Sequence, residues 1–269
     1  MDPELKYGYK VPIGGNGNKI TLVSVIRNDM GFGNMMFIYA SSYGIARKFR
    51  LSGALTIPTP AFTNTFELDR QGEVVELARL GDQDVHYLSS RVCCKYGTEF
   101  DRSLDHILTP ARSDDEPSLL LTNGLFQSWR YFHDYADEIR EQFQFRPAVR
   151  QAAEAELDQI LAKNNVLNRL NGADLLFILF TDDYGWLNDQ KKHLESNDQV
   201  WIQTPGSTER DLCMMTLCNH TIVSTGTFGW WAAYLTNGIT VVQQERSTNV
   251  KYLKEFDIDD FLLPEWYRF

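Results

Sequence analysis

The chain has 269 residues, 43% hydrophobic and 23% charged, the composition of a folded globular protein and not of a disordered, collagen-like or disulfide-stapled one. Its 26 basic and 36 acidic side chains give a formal charge of -10, which excludes nonspecific attraction to nucleic acid or anionic lipid. An anionic ligand would therefore need a local site. The length allows one large domain or two ordinary ones, and two are expected, since domains commonly run ~100 to 200 residues.

The apolar run Leu175 to Phe180 is far short of the ~20 residues that span a bilayer, so no transmembrane helix is expected. Met1 to Gly17 is polar, with no basic stretch leading into an apolar run, so no secretory signal is legible. The four cysteines fall as Cys93 and Cys94 and as Cys213 and Cys218, spacings that suit neither a zinc ribbon nor a Cys-x-x-Cys redox pair. Cys213 and Cys218 are expected to be buried thiols. The sequon at Asn219 lies between a helix and an apolar strand, where a glycosylating enzyme has poor access.

In chain order, the β-branched run Ile20 to Ile26 predicts a strand. Gly31 and Gly33 then predict a tight loop, and Asn34 to Phe49 a helix too continuously apolar to face solvent. Asn34 is placed to cap it. Ala54 to Ile57 reads as the next strand, completing the start of a β-α-β unit. Residues 58 to 117, broken by Pro58, Pro60, Pro110 and Pro117, read as short helices and loops.

Leu119 to Thr122 is a candidate strand. Trp129, Phe132, Ala136, Ile139 and Phe143 follow at three- and four-residue steps, the apolar stripe of one helix. Pro147 starts another, which Asn164 and Asn165 can stop. Beyond Gly172 strands and helices alternate. Strands are expected at Leu175 to Phe180, Val200 to Gln203, Thr221 to Ser224 and Ile239 to Val242. The helices between them include Thr208 to Cys218, announced by a capping box from Thr208 to Asp211, and Thr227 to Leu235. This alternation predicts an α/β fold with a parallel sheet covered by helices on both faces.

Three segments could carry chemistry. Gly31, Gly33 and Asn34 join a strand to a helix, so their amides and the positive helix end suit a phosphate, though a glycine turn with an asparagine cap reads equally well. Asp182 and Asp183 end a strand at its carboxyl edge, where a carboxylate can meet a base or ribose; the competing reading is turn chemistry. No third oxygen ligand suggests a metal there. Ser224, Thr225, Gly226 and Thr227 gather hydroxyls and amides at a helix start, a phosphate cradle; alternatively Thr227 is an N-cap and Trp230, Trp231 and Tyr234 are core aromatics. His220 reads as a strand residue with a satisfied hydrogen bond, and no hydrolase triad or metal cluster is legible.

The run DLCMMTLCNHTIVSTGTFGWWAAYLTNG, from Asp211 to Gly238, resembles the C-terminal motif of animal galactoside α-1,2-fucosyltransferases, and FLLPEW at 261 to 266 resembles their closing segment. GFGNMMFIYASSYGIAR at 31 to 47, NGLFQSWRYFHDYADEIREQF at 123 to 143 and FILFTDDYGWL at 177 to 187 resemble further family segments in the same order. The resemblance implies a metal-independent, inverting enzyme of the GT-B-type architecture, built from two Rossmann-like halves. It would move fucose from GDP-fucose to O2 of the terminal β-galactose of a glycan acceptor. It implies an acceptor-side half at residues 1-150 and a shortened GDP-fucose-side half at residues 151-269. Carried over by position, Gly31, Gly33 and Asn34 face the sugar diphosphate, Asp182 meets the nucleotide, and Ser224, Thr225, Gly226, Thr227 and Phe228 close over phosphates and fucose. Asn34 is the one candidate for a catalytic role; no general base is placed.

Two departures from the family pattern accompany these matches. The family's His-x-Arg-Arg-Gly-Asp motif, which supplies a diphosphate-pairing arginine, is absent, and the helix from Pro147 runs on to the Leu175 strand as if a strand, loop and helix were skipped. The family's Golgi location rests on an N-terminal anchor that is not legible here, so the resemblance implies Golgi while the chain itself suggests the cytosol. Met35 stands where many relatives carry glutamine. The alternative reading is a noncatalytic relative that binds glycan or nothing. Arg27, Arg130 and Arg146 are the arginines to inspect for contact with the donor.

Overall fold

The structure, a computed structural model, describes residues 18–24, 30–49, 51–56, 60–68, 98–104, 118–122, 124–163, 175–197, 199–244 and 257–269. Strands β1 (Asn18–Ser24), β2 (Leu51–Thr56) and β3 (Ser118–Thr122) form a parallel sheet in the order β2-β1-β3, with Leu22 opposite both Ala54 and Leu120. Helix α1 (Phe32–Lys48) makes the β1-to-β2 crossover. Its residues Met35, Met36, Phe37, Ile38, Ala40 and Ile45 are all buried, which explains its lack of a polar face. Arg47 and Lys48 sit at its negative end. Of the residues from 58 to 117, those described include the short helix α2 (Pro60–Thr65) and the buried Thr98 and Leu104.

The expected single helix through Trp129 and Phe143 is instead two 3-10 turns, Trp129–Tyr131 and His133–Tyr135, followed by helix α3 (Ala136–Gln142). The stripe is nonetheless real, with Trp129, Phe132, Ile139 and Phe143 all buried. The helix breaks because the Ser128 hydroxyl caps the first turn through Arg130 N and Phe132 leaves the helical region at φ -133°. This arrangement fits against α1 only because Gly44 has no side chain: a β-carbon there would lie 2.2 Å from Tyr131 O and 2.7 Å from Phe132 Cα.

Helix α4 (Pro147–Lys163) begins on proline as expected. Further along, β4 (Phe177–Leu179), α5 (Tyr184–Leu194), β5 (Val200–Ile202), α6 (Thr208–Thr216), β6 (Thr221–Val223), α7 (Thr227–Thr236) and β7 (Thr240–Val242) keep the predicted alternation. The chain ends with the short helix α8 (Ile258–Phe261) and β8 (Tyr267–Arg268). All named strand pairs are parallel, but the expected continuous sheet is divided: β4 pairs with β5, and β6, β7 and β8 form a separate sheet. Nor are both faces of that second sheet covered. Ile222, opposite Val241, and Tyr267, opposite Val241 on the other side, share one face and are 64% and 65% exposed. Val223 and Val242, one residue on, are buried.

Capping also departs from expectation by single residues. Ser207, not Thr208, caps α6 by accepting from Arg210 N, while the Asp211 carboxylate accepts from Gly206 N at 3.1 Å. The two reach the same unsatisfied first-turn region, so a box read from spacing alone slips easily.

Both ends of the chain feed one core. Phe37 of α1 lies 4.6 Å from Trp230 and 5.1 Å from Trp231 between ring centres, and Phe132 stacks on Trp231 at 5.5 Å. Phe261, Leu262, Leu263 and Trp266 complete the cluster. Aromatic pairs of this kind add about 0.5–1.5 kcal/mol each beyond area burial. A smaller cluster of Ala153, Ile160, Cys213 and Met214 joins α4 to α6. Asp260, 1% exposed, fastens α8 by accepting from Arg130 Nε at 2.5 Å, Arg102 at 3.3 Å and Phe100 N at 2.9 Å. A buried carboxylate so paired is satisfied; stripped of its partners it is not.

Candidate active site

The two glycine-bearing segments singled out in the sequence meet in space. Gly31 precedes α1 and Gly226 precedes α7, each in an extended conformation and neither helix capped by a side chain. Among the described residues no side chain caps either helix, which leaves first-turn amides at both positive helix ends without a side-chain acceptor. They approach closely at Gly33, where a β-carbon would stand 2.6 Å from Thr227 C, 2.7 Å from Thr227 O and 2.8 Å from Phe228 N. Only glycine permits that contact.

Asn34 does not cap α1, which corrects the sequence expectation. Its backbone N–H donates to Gly31 O, and its side-chain Oδ1 accepts from Thr227 Oγ1 at 3.0 Å and from Gln127 Nε2 at 2.7 Å. Thr227 is likewise not the N-cap of α7 but its first helical residue, with its hydroxyl turned across to α1. Trp230, Trp231 and Tyr234 are core aromatics, as the alternative reading of this segment expects, while its N-cap role for Thr227 does not hold. Ser224 and Gly226 are exposed, Thr225 and Phe228 half-buried, and a β-carbon on Gly226 would meet nothing nearer than Ser224 Oγ at 3.8 Å. The mouth of α7 is open to a ligand.

Gln127 is the residue that sequence reasoning missed. It is 9% exposed, on a turn held by the Ser41 hydroxyl, which donates to Phe126 O at 2.9 Å. Phe126 is buried in the left-handed region at φ 49°, a strained position for a bulky residue. The available signal was an amide side chain flanked by Phe126 and Trp129, since an amide among buried aromatics needs a partner.

Asp182 and Asp183 follow β4, in the other sheet. Asp183 caps α5, accepting from Trp186 N at 2.9 Å, so the turn-chemistry reading describes it. Asp182 is exposed, and no hydrogen bond or ion pair among the described residues joins either aspartate to the α1–α7 pair. Of the three arginines, Arg130 is paired with Asp260 and stacked 4.5 Å over Trp129, while Arg146 Nε donates to Thr63 O at 2.7 Å. Arg27 lies outside the described residues.

His220 lies just before β6 and is exposed, its Nδ1 accepting from Ile239 N at 3.1 Å. Of the expected buried thiols, Cys213 is buried and Cys218 half-buried, both free; burial pushes Cys213 up to about 11, which keeps it an unreactive thiol. Among the described residues no group of three or more His, Cys, Asp or Glu could hold a metal ion, and no helix is long and apolar enough to cross a membrane.

Among the described residues the groups that meet here are neutral: first-turn backbone amides at two helix ends, the Asn34 and Gln127 amides and small hydroxyls. Such a site can bind a diphosphate by fixed dipoles and can favour charge that develops on it.

The profile described as Glycosyl transferase family 11 matches residues 162–268. That segment is similar to a glycosyltransferase family. Similar proteins include galactoside alpha-(1,2)-fucosyltransferase 1 of Bos taurus, 28% identical over 192 residues, covering 56% of this chain and 53% of that one. The Homo sapiens protein of that name is 26% identical over 195 residues, covering 57% and 53%. Galactoside 2-alpha-L-fucosyltransferase SEC1 of Bos taurus is 35% identical over 96 residues, covering 34% and 25%. The chain spans about half the length of the curated relatives it matches. Among solved structures, fucosyltransferase NodZ from Bradyrhizobium is similar with a TM-score of 0.49 at 15% identity, covering 79% of this chain and 92% of that one.

Proposed function

We propose that this chain is a glycosyltransferase that transfers fucose from GDP-fucose to O2 of a terminal β-galactose on a glycan. What supports the reading is one observation: Asn34 meets Thr227 across 193 positions, beside the close approach of Gly33 to the same residue, which brings together the first turns of two helices that no side chain caps among the described residues. Transfer breaks the bond between fucose C1 and the β-phosphate oxygen and forms one from C1 to the acceptor oxygen. Charge gathers on the departing diphosphate, and on this reading helix-end amides and the Asn34 Nδ2 group stabilise it, with no metal required. The acceptor proton needs a base, and no carboxylate or imidazole hydrogen-bonds Asn34, Gln127 or Thr227 among the described residues.

Two Rossmann-like halves, divided as residues 1-150 and 151-269 with the second shortened, are part of this reading, as is work in the Golgi. Asp182 at the nucleotide belongs to it as well. The test is incubation of the chain with GDP-fucose and lactose, followed by mass spectrometry and linkage analysis of the product. The reading expects a fucosylated lactose bearing fucose on O2 of galactose. Folded protein that leaves lactose unmodified contradicts it.

A second reading, a noncatalytic relative, is favoured by one observation. Arg130 and Arg146, two of the arginines that could pair a diphosphate, are engaged by Asp260 and by Thr63 O. It predicts binding of GDP or glycan without turnover, or no binding at all.

A further inference from the structure

We propose that Gln127 is a positioning residue that fixes which way the Asn34 amide faces, and so whether the junction of α1 and α7 offers a donor or an acceptor to a diphosphate. The inference rests on the reading of that junction as the donor-substrate site.

An asparagine amide has one acceptor end and one donor end, and rotating it by half a turn exchanges them. At Asn34 the acceptor end is occupied twice, by Gln127 Nε2 at 2.7 Å and by Thr227 Oγ1 at 3.0 Å. Its Nδ2 group has no partner among the described residues, and a β-carbon on Gly31 would find it the nearest atom, at 3.9 Å. The amide hydrogens therefore lie toward Gly31, at the start of α1.

The Thr227 hydroxyl alone cannot enforce this, because it can either donate or accept. Gln127 carries an amide of its own, but it is 9% exposed and presents Nε2, which can only donate, to Asn34 Oδ1, and its turn is fixed. Phe126 is held at φ 49° in the core, its carbonyl accepts from Ser41, and the buried Ser128 hydroxyl accepts from Arg130 N. A diphosphate oxygen is an acceptor and prefers to meet Nδ2–H; with the amide turned over it would meet a carbonyl oxygen.

Two substitutions test this, with binding of GDP measured by calorimetry between pH 5 and pH 8. Gln127→Met keeps the volume and removes the donor; it should weaken GDP binding about tenfold at every pH, the scale of one misdirected hydrogen bond. Gln127→Glu replaces the donor with a carboxylate that can only accept at pH 8, which turns the Asn34 amide over. Binding should fall more than with methionine there, and should recover as the pH drops and the acid regains a hydrogen to donate.

That recovery is a signature that loss of packing does not produce, and melting temperatures of both variants at each pH separate folding from binding. GDP binding by Gln127→Met equal to that of the unsubstituted chain would overturn the proposal, even if Gln127→Glu does not fold. So would a Gln127→Glu defect that does not change with pH. If the unsubstituted chain itself binds no GDP, the donor-site reading fails and the positioning role falls with it.

Discussion

Gly33 touches the backbone of Thr227 so closely that a β-carbon would lie 2.6 Å from its carbonyl carbon. The contact is backbone to backbone and neither helix can yield locally, since α1 and α7 share one aromatic core. Gly33→Ala should therefore destabilise the fold by about 2–4 kcal/mol, at or above the upper range for overpacking. Gly31→Ala is the control: among the described residues its β-carbon would meet Asn34 Nδ2 at 3.9 Å and nothing nearer, and its cost should stay within about 0.5 kcal/mol. Urea denaturation of the two variants checks both, and equal midpoints would show that α1 and α7 are not in this contact.

Removing the positive partner of Asp260 should do more harm than removing the pair. Arg130→Ala leaves a carboxylate that is 1% exposed with Arg102 at 3.3 Å as its remaining ion-pair partner among the described residues. A loss of about 3 kcal/mol is expected, with the double change Arg130→Met and Asp260→Leu costing less than the single one. Thermal melts of the three proteins give the comparison.

Stability should fall in alkali because of Tyr234. Burial pushes its phenol up to about 12, the nearby Arg140 guanidinium offsetting only part of the shift. The folded value is raised above the unfolded value of about 10. Below pH 10 the phenol is neutral in both states and the contribution is fully present. Between pH 10 and pH 12 the unfolded chain loses the proton while the folded chain keeps it, so stability is lost as pH rises, on the order of 2 kcal/mol in all. Tyr131, raised further by burial, acts in the same direction. Denaturation midpoints at pH 9, 10.5 and 11.5 should decline, and decline less in Tyr234→Phe. That variant should lose nothing at pH 7, because the Tyr234 hydroxyl is buried without a hydrogen-bond partner among the described residues.

Much of this arrangement is legible in the sequence, and what is not has a physical cause. The α1 stretch announces burial on every side because nearly every residue in it is apolar or small, and the strand–helix alternation after Leu175 announces parallel pairing. Periodicity does not tell where Phe132 breaks a helix, because its backbone torsion is set by packing against Trp230 and Trp231. Nor does it tell that the C-terminal strands divide into two sheets. At the site, Gly33, Asn34 and Thr227 are visible as residue types, but the capping roles assigned to Asn34 and Thr227 are local readings. A contact spanning 193 positions takes both side chains away from their own helices. Gln127 stays hidden for the same reason: its partner is on another element.

The most direct test of the account is calorimetric titration of GDP into the purified chain, with and without EDTA, alongside Thr227→Val. The account predicts saturable binding that EDTA leaves unchanged and that Thr227→Val weakens, since the substitution removes one of the two hydrogen bonds that hold Oδ1 of Asn34 inward. Folded protein that takes up no GDP, or binds it equally well after Thr227→Val, contradicts a donor site at the meeting of α1 and α7.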